Sequence, residues 1–207
     1  MKPIMFVLFV TVIGLTSCKE KNKTSGKDAE GQQVAELVQD SARDSLEIRR
    51  VITDFYNWYD KNYAKFQEYD LYSGIKKKDA PPYKINWDEV DKYQQFIRDS
   101  VPQLGEEFLA RQKHFFEQCD SAFKKDLKDE IPYGFDYDWY TNSQEETKYT
   151  TDRVNANKAW SIKIEGDYAK VNIGDSPQDQ DSGLQIHMKK EKGKWTIANI
   201  GTYIDLL

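Results

Sequence analysis

The sequence predicts an α+β protein with N-terminal helices packed on a C-terminal curved antiparallel sheet. Two observations carry this. Before Pro132 the large apolar residues recur every three or four positions, the spacing of one helix face. After Pro132 they recur every second position, the spacing of a strand with one wet face and one packed face. Glu165-Gly166-Asp167 and Glu191-Lys192-Gly193-Lys194 read as hairpin turns between such strands, which makes the sheet an antiparallel meander.

At the N-terminus a lone cation, Lys2, precedes an apolar run from Ile4 to Leu15, and Leu15-Thr16-Ser17-Cys18 closes it. A charged start, a short apolar stretch and small residues before a cleavage point mark a secretory signal rather than a membrane span. Leu-Thr-Ser-Cys resembles the lipobox of bacterial lipoproteins, whose cysteine is lipidated and becomes the first mature residue. The resemblance implies cleavage after residue 17, acylation of Cys18 and attachment to the lipid bilayer. It also implies more than one acyl chain, since a single chain binds only marginally. Lys19 stands where inner-membrane retention is associated with aspartate, which implies an outer-membrane location in the cell envelope, facing the periplasm or the surface. Residues 19–31 are polar and lack large apolar side chains, so they read as a flexible tether. The expected organisation is a signal over 1–17, lipidated Cys18 and tether over 18–43, and one α+β domain over 44–207.

Asp44 with Glu47 three residues on predicts a helix start. Ile48, Ile52, Phe55, Tyr59 and Phe66 predict a helix from about Ser45 to Phe66, with a weaker backward extension through Val34, Leu37 and Val38. Gly74, a lysine run and Pro81-Pro82 make residues 67–86 irregular. Asn86 with Glu89 reads as a capping box for a helix to about Arg98, and Ser100 with Gln103 as one for the next. That helix carries Leu104, Phe108, Phe115, Cys119 and Ala122, with Gln112 as a polar group on the same seam. The strands follow at Trp160–Ile164, Ala169–Ile173, Leu184–Met188 and Trp195 to about Tyr203, the last losing phase near Ala198–Asn199 in the manner of a bulge.

Helices followed by hairpins ending in Gly-Lys-Trp-Thr-Ile-Ala-Asn-Ile resemble the NTF2-like (cystatin-like) cone fold. Phe55-Tyr56-Asn57-Trp58-Tyr59, Asp136-Tyr137-Asp138 and Gln144, with the lipobox, resemble the DUF3828 family of small exported proteins and lipoproteins. The similarity covers roughly residues 45–203 and leaves 67–86 as an insertion. It implies a fold and an exported location, and no reaction.

The net charge is −5, with both signs mixed along the chain. Nucleic acid is not expected, because phosphates need clustered cations. Cys18 and Cys119 are the two cysteines, so no disulfide framework is expected, and Cys119 reads as a small buried hydrophobe.

Asp136 to Glu145 is the most chemically suggestive stretch. Two aspartates at alternate positions of an extended segment would point the same way, to bind a cation, act as a base at a pocket mouth or accept hydrogen bonds from a partner. As a calcium loop the stretch fails, with Thr141 at the sixth position and Thr147 at the twelfth. The commoner role of such carboxylates is to cap turns and backbone N–H groups, and that role is favoured. Asp175 to Gly183 also fails calcium spacing and reads as a solvated loop. His187 is out of phase with Leu184, Ile186 and Met188 and should face water; His114 lies toward the polar side of its helix. Neither suits ordinary acid–base catalysis. Tyr56 and Tyr63 flank the apolar stripe, which predicts partial exposure. Lys76-Lys77-Lys78 reads as a solvated loop.

The expected function is a non-catalytic binding module for an envelope protein or glycan, with Asp136, Asp138, Trp139, Tyr140 and Gln144 as the binding surface. No catalytic residue, metal or cofactor is expected. The alternatives are a small-molecule cone pocket, with Asp136 and Asp138 as its catalytic groups if it is an enzyme, and a purely structural lipoprotein. Replacing Cys18 by Ser should abolish incorporation of a palmitate analogue and move the protein from the membrane to the soluble fraction; labelling that survives would remove the anchor.

Overall fold

The computed structural model describes residues 25–74, 80–125, 127–128, 132–156, 158–175 and 183–201, with side chains from residue 39 onward. Cys18 and its leader, the stripe Val34–Val38, the lysine run, most of the loop after Asp175 and the end of the last strand at Tyr203 lie outside these descriptions. The chain divides into compact units at 1–38 and 39–207. The elements are α1 (Ser25–Phe66), β1 (Tyr72–Gly74), β2 (Tyr83–Ile85), α2 (Trp87–Ser100), α3 (Glu106–Phe123), α4 (Thr147–Ala156), β3 (Trp160–Glu165), β4 (Tyr168–Ile173), β5 (Leu184–Glu191) and β6 (Lys194–Ile200). β3 to β6 form an antiparallel sheet in chain order, so the protein is α+β with its helices N-terminal to the sheet.

α1 buries Ile48, Ile52, Phe55, Tyr56, Tyr59 and Phe66, which fall on one helical stripe. The helix begins at Ser25, ahead of the expected start at Ser45; its backbone runs through the backward extension read at Val34, Leu37 and Val38 and on into the segment expected as tether. Asp44 therefore caps nothing. It accepts from Lys190 Nζ at 2.8 Å, and Glu47 accepts from the Trp195 backbone N–H at 3.4 Å. Burial raises the Asp44 pKa, but the hydrogen bonds and charge of Lys190, with the charge of Arg43, hold the carboxyl below its ordinary value. The two acids clasp α1 to the β5–β6 hairpin.

α2 starts after Asn86 as expected, but the Asn86 side chain makes no cap bond; Glu89 pairs instead with Lys92 at 2.6 Å. The second capping box is also corrected. Ser100 is the last residue of α2, and α3 starts at Glu106. Residues 103–105 instead join the outer edge of β6: Gly105 N–H donates to the Ile197 carbonyl at 2.9 Å, and Ile197 N–H donates to the Gln103 carbonyl at 2.7 Å. An exposed sheet edge leaves backbone groups unpaired, and satisfying them outweighs a helix turn at Ser100. Any side chain at Gly105 would collide with Thr196 Oγ1, so glycine is needed there.

Gln112, Phe115 and Cys119 follow the predicted seam of α3 and are buried. Burial pushes the Cys119 thiol up to about 12, which makes it inert at neutral pH. In the sheet, Met188 pairs with Ile197 while His187 pairs with Asn199, leaving Ala198 as the extra residue of the bulge read from the lost phase. Lys192 (φ 51°) and Gly193 (φ 78°) form the β5–β6 turn, both in the left-handed region that a type I′ hairpin requires. His187 lies opposite Ile186 and Met188 but is half-buried rather than fully wet.

Two elements were not foreseen. The β1–β2 ribbon, Tyr72 paired with Ile85, has strands too short for periodicity. α4 buries only Thr150, Thr151 and Val154, so it carries almost no apolar stripe.

Phe55→Ala should cost about 3–5 kcal/mol, because it empties a fully buried site. Leu46→Ala on the same helix, 70% exposed, should stay within about 0.5 kcal/mol. Urea denaturation of the two variants checks both.

Candidate functional site

The segment from Pro132 to Glu146 is not extended, which corrects the expectation for its aspartates. Asp138 N–H donates to the Ser143 carbonyl at 2.9 Å and closes a tight loop in which Asn142 takes φ 51°. The alternation of an extended strand therefore does not place Asp136 and Asp138, of which Asp136 is exposed and Asp138 half-buried. Asp138 Oδ1 accepts from the Tyr140 N–H at 2.8 Å, and its Oδ2 accepts from the Tyr59 hydroxyl at 2.8 Å. The capping role holds for Asp138. Asp136 is exposed, and its backbone carbonyl accepts from Gln144 Nε2 at 3.0 Å.

Tyr140 sits in the core, only 2% exposed, and not on an open surface. Its hydroxyl lies 2.6 Å from the Tyr93 hydroxyl and accepts from Gln112 Nε2 at 3.0 Å. Its carbonyl accepts from the Tyr56 hydroxyl at 2.7 Å. That bond explains why Tyr56 is fully buried where partial exposure was expected: a buried tyrosine needs a partner for its O–H. Tyr63 is 38% exposed, as its flanking position suggests. Trp139 is half-buried. Its indole N–H donates to the Gly134 carbonyl at 2.7 Å, and its ring lies edge-on to Phe116 and Phe135. Gly134 holds φ 80° against Phe115 and Cys119, where a side chain would clash.

Burial raises the pKa of Tyr56, Tyr59, Tyr93 and Tyr140, so these hydroxyls stay protonated. Burial also raises the Asp138 carboxyl, and hydrogen bonds from the Tyr140 N–H, Tyr59 and Thr141 offset only part of the effect.

Around this knot lies an open groove of about 940 Å³. One wall is the C-terminal end of α1, with Tyr59, Asp60 and Tyr63. Another is the chain from Tyr69 to Tyr72, leading into β1. The third is the loop from Phe135 through the first turn of α4. Asp136, Asp138, Trp139, Tyr140 and Gln144 all border it, with Tyr140 contributing least. Glu145, the end of the stretch singled out in the sequence, lines the groove with its neighbour Glu146; sequence reasoning missed Asp60 and Asp70, which reach it only through the fold. Asp60 accepts from Thr147 Oγ1 at 2.6 Å, tying α4 to α1. Lys148 is the one basic residue among the described residues of the lining, and it donates to both carboxylate oxygens of Asp152.

The histidines lie elsewhere. His114 is on the exposed side of α3 beside Glu117 and Gln118. Among the described residues, no three His, Cys, Asp or Glu side chains cluster in a metal-holding arrangement. No described helix is long and apolar enough to cross a membrane. The groove offers half-exposed aromatic faces and carboxylate acceptors, a chemistry of recognition. No protein-family model, curated protein or solved structure matches this chain.

The raised Asp138 pKa has a definite sign in stability. Above the ordinary value of 3.8 the folded state binds the proton more readily than the unfolded one, so stability falls as pH rises from there through the raised folded value. Asp138→Asn cannot titrate. The wild-type protein should therefore lose stability relative to this variant over that interval, read by urea midpoints across a pH series; a constant offset would refute the linkage.

Proposed function

We propose that this chain is a lipid-anchored envelope protein whose α+β domain is a non-catalytic binding module of NTF2-like type, with its ligand site in the groove between α1 and the 135–148 segment. The lipobox-like Leu15-Thr16-Ser17-Cys18 supports the anchor. The observation that carries the binding reading is the groove itself: about 940 Å³ of concave surface bordered by half-exposed aromatics and carboxylates, within the size range of small-molecule sites.

The alternative of catalysis by Asp136 and Asp138 draws on the raised Asp138 carboxyl, which would suit a general acid. Against it, both Asp138 oxygens are already engaged by Tyr59 and the Tyr140 N–H. Asp138 is better accounted for as the brace of its own loop.

Native mass spectrometry of the protein purified from its own membrane should reveal a retained ligand, with lipid on Cys18. Tyr63→Ala removes an exposed ring without opening the core, and should lower ligand occupancy by about tenfold. Identical occupancy in the variant would move the site away from the groove.

A further inference from the structure

We infer that the groove takes a linear organic polycation, a molecule with two or more ammonium groups of the spermidine class. The inference rests on the binding-module reading above and specifies its ligand. Among the described residues six acidic side chains line the groove: Asp60, Asp70, Asp136, Asp138, Glu145 and Glu146, with Asp136, Glu145 and Glu146 among the exposed ones. Lys148, the one cation among the described lining residues, is engaged by Asp152, which lies outside the lining. A concave site lined by one sign of charge focuses its field and concentrates counter-ions of the opposite sign. Phosphates, acidic glycans and nucleic acid are repelled by the same field.

The walls carry the second half of the argument. Tyr63, Tyr69, Tyr72 and Trp139 line the groove while partly exposed. Aromatic faces attract ammonium groups through the ring quadrupole and cover methylene linkers by apolar contact. The distribution of charge separates an extended cation from a point ion. The carboxylates come from α1, the approach to β1, the loop and the residues before α4, and the described residues form no metal-holding cluster. Spread acceptors between aromatic faces match a chain of ammonium groups joined by alkyl segments. A divalent ion would instead need several oxygens converging on one point.

The test titrates the full chain with spermidine at physiological salt by calorimetry, with maltotriose as a neutral comparator and magnesium as a divalent one. Spermidine should bind saturably. Glu145→Gln with Glu146→Gln, both exposed, should weaken its Kd by about tenfold, and Tyr63→Ala should weaken it as well. Urea midpoints of the variants, matched to wild type, show that they remain folded. Absence of saturable spermidine binding, an unchanged Kd in the Glu145/Glu146 variant, or displacement of spermidine by an equal concentration of magnesium would each overturn the inference. Maltotriose binding that Tyr63→Ala abolishes would overturn the polycation while leaving the binding module standing. If no probe binds and the protein from its own membrane retains no ligand, the inference and the module fall together.

Discussion

The hydrogen bonds converging on Tyr140 are the constraint on which the rest of this structure depends. Three helices meet there. α1 supplies Tyr56 to its carbonyl, α2 supplies Tyr93 to its hydroxyl, and α3 supplies the Gln112 amide to the same hydroxyl. Two residues further back, Asp138 binds Tyr59 of α1. Each partner is buried or half-buried, where an unpaired polar group costs about 1–3 kcal/mol. The loop between α3 and α4 therefore cannot peel away without orphaning hydroxyls on two helices. Ring packing adds to this, with Tyr59 and Phe66 each 4.9 Å from the Tyr140 ring.

The groove exists because this knot is tied from beneath. Tyr140 and Asp138 are pinned on the core side, which turns Asp136, Trp139, Gln144 and Glu145 toward the opening. The Thr147–Asp60 bond then fixes the distance between α4 and the end of α1. The walls are rigid side chains on braced backbone, the preorganisation that reduces the ordering cost of binding. Asp138 serves the wall more than it serves a ligand. Its carboxyl is raised by burial and spent on two local bonds, so the exposed acids around it carry the groove's field.

At the other end of the domain a second set of contacts holds the helices to the sheet. Asp44 and Glu47 reach the β5–β6 hairpin, and residues 103–105 pair with the edge of β6. The edge is thereby covered in its middle, one way in which proteins keep exposed strands from pairing with other chains. Tyr63, Tyr69, Tyr72 and Trp139 remain partly accessible along the groove.

What could be read from the residues follows from repetition. The stripe on α1 from Ile48 to Phe66, the α3 seam through Gln112 and Cys119, the alternating strands, both hairpin turns and the bulge at Ala198 depend on local spacing alone, and local geometry suffices to locate them. Helix starts were less legible, because Asp44, Ser100 and Gln103 have the composition of caps, but Asp44 pairs with Lys190, Ser100 closes α2 and Gln103 joins β6. α4 and the β1–β2 ribbon left no trace, being too polar or too short to show a period. Tyr140 was expected in the open and is buried. Nothing near it in sequence reveals that Tyr56, Tyr93 and Gln112 come from 84, 47 and 28 residues away to satisfy it. The amino-acid sequence by itself determined the α+β class and the order of its layers. Only the tertiary structure decided which aromatics are core, which carboxylates share a groove and which way each aspartate points, because those outcomes depend on long-range hydrogen bonds that no local pattern encodes.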